Sequence, residues 1–127
     1  MAMPNPYATY QEQSVFTASQ ADLTLMLYNG CIKFLSRAEL AMQRKDVPGA
    51  NDALLRAQDI ILEFMATLDM QYDISHQLMA LYEYLRRRMI EANLRKEITI
   101  VQECLSLVTE LRDTWAKAVK LSRGQVG

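Results

Sequence analysis

Apolar positions recur at intervals of three and four residues through most of this 127-residue chain, the spacing that gathers side chains on one face of an α-helix. The clearest series is Ala50, Leu54, Ala57, Ile61, Phe64 and Leu68. A similar stripe runs through Leu78, Leu81, Leu85, Met89 and Ala92, and another through Val101, Cys104, Val108, Leu111, Trp115 and Ala118. Ahead of them, Leu23, Leu27, Gly30, Phe34 and Ala38 predict a first helix with its own core-facing line. No comparable alternation of apolar and polar residues predicts a strand.

The breaks between these series carry helix-ending and helix-starting chemistry. Pro4 and Pro6 lack backbone donors and disfavour helix just before them, so the first residues are expected to be irregular. Ser19 with Asp22 predicts an N-cap just ahead of Leu23, and that helix is expected to reach about Arg44. Asp46 is the expected cap of the second helix, with Pro48 tolerated in its first turn. A break at Gln71 to Asp73 precedes the third helix, which Asp73 or Ser75 can cap and which Arg95 to Glu97 should end. Thr99 and Gln102 are placed to form a capping box for the fourth helix, whose end is marked by Lys120, Arg123 and Gly124.

Short connections place sequential helices antiparallel. The expected fold is therefore all-α, an antiparallel four-helix bundle over residues 18–124, preceded by a short N-terminal capping segment, residues 1–17, and followed by a tail, residues 125–127. Tyr7, Tyr10, Val15 and Phe16 supply apolar and amphipathic surface within a segment otherwise too polar and proline-rich for a core, so packing onto the bundle is expected of them.

The first helix is wider in its apolar character than the others. Leu25, Tyr28, Ile32 and Leu35 make a second stripe beside its core line, and Leu55 and Leu62 flank the line of the second helix. Both a wide core stripe and a groove covered by a partner account for this pattern. Eight methionines add side chains that adapt to varied apolar surfaces.

Composition removes several alternatives. Half the residues are apolar and the formal net charge is -1, so neither a disordered acidic tail nor a globally basic nucleic-acid binder is indicated. The run Arg86-Arg87-Arg88 is flanked one helical turn away by Glu83 and Glu91, and pairing on a solvated face is the expectation for it rather than phosphate binding. The two cysteines, Cys31 and Cys104, share no ligand spacing with the single histidine, His76, which is expected to be solvated or to cap a helix. Buried free thiols, no metal, no cofactor and no enzyme are the resulting expectations. No apolar run approaches the roughly 20 residues that span a bilayer, and no secretory signal is visible at the N-terminus. A cytoplasmic protein without membrane insertion is expected.

The chain also resembles a known family along nearly its whole length. Asn5-Pro6-Tyr7-Ala8-Thr9-Tyr10 is followed by Ala18-Ser19, Leu23-Thr24-Leu25-Met26-Leu27-Tyr28-Asn29-Gly30 and Ile32-Lys33-Phe34-Leu35. Ala57-Gln58, Ile60-Ile61, Leu81-Tyr82, Glu91-Ala92-Asn93 and Leu111-Arg112-Asp113 before Trp115 continue the match in order. These fragments together resemble the flagellin-specific type III export chaperones, the FliS family. The resemblance implies a chaperone that holds the disordered C-terminal segment of flagellin, prevents premature polymerisation and delivers it to the flagellar export-gate protein, without nucleotide or other cofactor. It further implies that Tyr7 and Tyr10 belong to an N-terminal cover that contributes to export-gate docking. With it, Leu25, Tyr28, Ile32, Leu35, Leu55 and Leu62 become the expected client-binding groove. The sequence leaves a homodimer open.

Overall fold

The computed structural model describes residues 6–123, with side chains from residue 20 onward. Four helices account for them: α1 (Pro6–Gln43), α2 (Val47–Thr67), α3 (Asp73–Arg95) and α4 (Ile98–Ser122). Each helix packs against its sequence neighbour and α1 closes the ring against α4, while the diagonal pairs make no close backbone approach. The result is the antiparallel four-helix bundle that the short connections predict.

Three of the four helix starts differ from expectation, each for a physical reason. α1 opens at Pro6 rather than after Ser19, because a proline in the first turn gives up no intrahelical hydrogen bond. Ser19 is therefore inside the helix, and the packing of Tyr7, Tyr10, Val15 and Phe16 lies outside the described side chains. α3 starts after Tyr72, which makes no side-chain cap, so neither Asp73 nor Ser75 caps it; Asp73 instead puts a carboxylate in the first turn, where the helix dipole favours it. α4 starts after Glu97, also without a side-chain cap. Thr99 and Gln102 are committed elsewhere, Thr99 to the Glu97 carboxylate at 3.3 Å and Gln102 to Glu39 on α1 at 2.8 Å. α2 matches its prediction: the Asp46 carboxylate accepts from the Gly49 N–H at 3.0 Å, with Pro48 in the first turn.

The ends of α1 and α3 are closed by lysines in the left-handed region, Lys45 at φ 58 and Lys96 at φ 51, positions where glycine is usual. After α1, Asp46 N–H reaches the Ala41 carbonyl at 2.8 Å and Lys45 N–H reaches Met42 at 3.0 Å, so orphan carbonyls of the last turn are satisfied. Lys96 has a second role. Its ammonium donates to Asn51 on α2 at 2.7 Å and to Asn93 on α3 at 2.8 Å, tying the two helices together at that end.

The core runs down the bundle axis through Leu35, Leu54, Ile61, Leu85, Met89, Val101 and Val108, all fully buried. Cys31 and Cys104 are also fully buried there and free. Burial pushes both thiols up to about 12, so neither supplies a thiolate near neutral pH. The predicted lines of α2, α3 and α4 hold along most of their length, with Ala118 exposed at the end of the α4 line. In α1 the buried seam draws on both stripes. Tyr28, Cys31, Leu35 and Ala38 form the buried seam, whereas Leu23 is 40% exposed and Leu27 and Phe34 are half-buried. Tyr28 and Leu35, expected on the outer stripe, are core residues.

Between α3 and α4 the seam is polar. Glu103 on α4 accepts from the Tyr84 hydroxyl and from Arg88 Nε, the latter at 2.9 Å. Arg88 also reaches Glu91 at 2.7 Å, and Glu91 accepts from Arg95 at 2.6 Å. The hydrogen bonds from Tyr84 and Arg88 hold the Glu103 carboxyl below its ordinary value of 4.5, and Arg95 and Arg88 do the same for Glu91. A carboxyl with a depressed folded-state pKa stabilises the fold above its unfolded value and loses that contribution as pH falls through the folded one. Urea-unfolding free energies should therefore decline as pH is lowered from 6 through 4.5 toward 3. Glu103→Gln, which keeps an acceptor oxygen but does not titrate, should make the decline shallower, and an unchanged slope would show that Glu103 does not contribute to it.

Candidate functional site

Among the described residues, the four helices do not close over one another at the end of the bundle formed by the α2–α3 connection. They leave an apolar cavity of about 400 Å³, lined by Tyr28 of α1, Phe64 and Leu68 of α2, Ile74, Leu78 and Tyr82 of α3, and Leu111 and Trp115 of α4. Its inner wall is a ring stack. The Tyr28 and Phe64 centroids lie 4.6 Å apart, and Phe64 and Tyr82 stack at 5.4 Å with 13° between planes. The two tyrosine hydroxyls, far apart in sequence, share a buried hydrogen bond of 2.7 Å. Burial raises both phenols above their ordinary value, so they stay protonated and serve as a paired, neutral wall. Trp115 is fixed by its indole N–H, which donates to the Ala21 carbonyl of α1 at 2.9 Å.

The rim of this cavity is also apolar. Ile74, in the first turn of α3, lines it and is exposed, and Met70 and Tyr72 are exposed on the adjoining α2–α3 connection. His76, in the first turn of α3, reaches back to that connection, with Nε2 3.1 Å from the Met70 carbonyl. A carbonyl can only accept, so Nε2 carries the proton in this contact. A further apolar line lies on α2, where Leu55 is 54% and Leu62 41% exposed, two turns apart on one helical face.

The six positions expected to form one groove are not brought together. Leu35 is inside the core and Tyr28 forms cavity wall. Leu25 and Ile32 are half-buried and flank Asn29, which accepts from Arg112 of α4 at 2.9 Å, so they lie toward α4. Leu55 and Leu62 lie on α2, which does not approach α4. Apolar surface is thus offered in separate places: the cavity with its rim, the α1–α4 side, and the outer line of α2. The cavity was missed from the sequence because its wall joins all four helices, whose relative register periodicity within each helix does not give.

The arginine run also divides. Arg88 is paired as the flanking acids suggest, but Arg86 and Arg87 make no ion pair with Glu83. Arg87 lies over the Tyr84 ring at 5.6 Å. Among the described residues no group of three His, Cys, Asp or Glu side chains could hold a metal ion, and no helix is long and apolar enough to cross a membrane.

Residues 3–122 match the family described as flagellar protein FliS. The flagellar secretion chaperone FliS of Bacillus subtilis (strain 168) is 41% identical over 123 residues, which cover 97% of this chain and 92% of that protein. The flagellar secretion chaperone FliS of Escherichia coli (strain K12) is 33% identical over 85% of this chain and 82% of its own length. That of Salmonella typhimurium (strain LT2) is 34% identical over 82% of this chain and 79% of its own. With its helical bundle, its open apolar end and a match along almost all of its length, the chain belongs to the FliS family of flagellar secretion chaperones, which are not enzymes.

Proposed function

We propose that this protein is a cytoplasmic chaperone of flagellin, which binds its disordered C-terminal segment, prevents premature polymerisation and delivers it to the flagellar type III export gate. The observation that carries the reading is exposed apolar surface on a member of a family of flagellar secretion chaperones. A disordered segment can wrap over separated patches that a rigid partner could not reach together. The contacts we assign to it are Leu55 and Leu62 on α2, Leu25 and Ile32 on the α4 side of α1, and the cavity walled by Tyr28; Leu35 supports the fold beneath. Residues 1–17, with Tyr7 and Tyr10, are assigned to covering the bundle before the client arrives and to export-gate docking.

The mechanism is coupled folding and binding. Client residues lay apolar side chains on the bundle and order as they do so, which costs about 2–5 kcal/mol of the gross interaction. The complex is thereby kept releasable, as export requires. Titration of the full chain with a flagellin C-terminal peptide, and with flagellin lacking that segment, tests the reading. The peptide should bind and turn partly helical, and the truncated flagellin should not. Equal binding of both would move the client site away from the flagellin C-terminus, and binding of neither would overturn the chaperone assignment.

A further inference from the structure

Resting on that reading of the client, we propose that Arg86 is a carboxylate-recognising residue of the client site, so that the bound segment carries an Asp or Glu beside one of its apolar anchors. Arg86 lines a cleft of about 340 Å³ with Met65 of α2 and Glu83 and Arg87 of α3. Its Nε is shut off from solvent and has no hydrogen-bond partner. Arg88, two positions on, meets Glu91 and Glu103. Arg87 is set over Tyr84. Glu83 lines the same cleft without bonding to Arg86.

An unpaired donor on a charged group out of reach of water is unfavourable, and native proteins rarely keep one without a use for it. A guanidinium edge that offers Nε and a terminal nitrogen together matches a carboxylate with two parallel hydrogen bonds. Turning that edge toward an acceptor in the cleft satisfies the orphaned donor at the moment of binding. The apolar half of the recognition stands next to it. Leu62 lies one turn before Met65 on the same helix and is exposed. An arginine beside an aliphatic anchor, desolvated as the client covers the cleft, is the composition of a strong binding spot. Selectivity follows from the same arrangement: a segment with an apolar residue there but no carboxylate leaves Arg86 unpaired and binds less well.

The test is a double-mutant cycle in the full chain. Arg86→Met and Arg86→Lys are titrated with the flagellin C-terminal peptide and with a series of peptides in which each Asp or Glu is changed to Asn or Gln. Arg86→Met should weaken the unmodified peptide tenfold or more and abolish discrimination at one particular carboxylate, while its urea midpoint stays level or rises because an unsatisfied donor has gone. Arg86→Lys, which keeps charge without the planar fork, should recover part of the affinity only. Wild-type protein that binds the peptide while Arg86→Met binds it equally well, or loses affinity equally for every peptide in the series, overturns the role of Arg86 alone. Wild-type protein that binds no peptide overturns the client reading and this assignment together.

Discussion

Leu35→Ala is expected to destabilise the protein by about 2–5 kcal/mol, the range for truncating a buried leucine whose cavity cannot collapse. Leu35 is fully buried in the seam that α1 presents to the core, between Tyr28 and Cys31 on one side and Ala38 on the other. The whole fold of a domain this size rests on about 5–15 kcal/mol, so one such truncation removes a large share. Urea unfolding measured by far-ultraviolet circular dichroism should show a lower midpoint with an unchanged slope. Leu55→Ala, at a position 54% exposed on α2, serves as the comparison and should shift stability by about 0.5 kcal/mol or less. If the two variants lose similar amounts, Leu35 is not the core residue described here and α1 is rotated in the bundle.

This comparison turns on the one helix whose orientation the sequence left ambiguous. α2 was legible because Asp52, Arg56, Asp59 and Glu63 mark a polar face opposite Leu54, Ala57 and Ile61. In α1 between Leu23 and Leu35 the only charged residue is Lys33, so polarity does not say which of two adjoining stripes turns inward. A size pattern was available. Cys31 and Ala38 are small, and they face an α2 seam that is itself built from Ala50, Ala53 and Ala57, where two helices can approach closely. Reading small residues as seam markers would have selected Tyr28, Cys31, Leu35 and Ala38. The polar α3–α4 network and the Tyr28–Tyr82 pair depend on the register between helices, which periodicity within one helix does not encode. The division within Arg86-Arg87-Arg88 has the same origin. Successive residues point about 100° apart on a helix, so only Arg88 meets the Glu91 and Glu103 side while Arg86 turns into the cleft beside Met65.

The double substitution Leu55→Gln with Leu62→Gln should remove most affinity for the flagellin C-terminal segment while leaving the fold intact. Both leucines are exposed in the free protein, so replacing them creates no cavity. Glutamine is nearly as good a helix former as leucine, and, being neutral, it avoids adding charge beside Asp52 and Asp59. Against a bound segment the balance changes. Covering the exposed half of two leucines, and avoiding the desolvation of two amides, is together worth about 2–3 kcal/mol, or roughly 30- to 150-fold in Kd. Leu94→Gln provides the control, because Leu94 is 82% exposed near the C-terminal end of α3 and belongs neither to the cavity lining nor to the outer line of α2. All three proteins should share the thermal midpoint of the parent to within a few degrees. Affinity should fall steeply in the double variant and remain unchanged in Leu94→Gln. If the double variant keeps the parent affinity, the client avoids the outer line of α2, and the cavity at the α2–α3 end with the α4 side of α1 must account for binding without it.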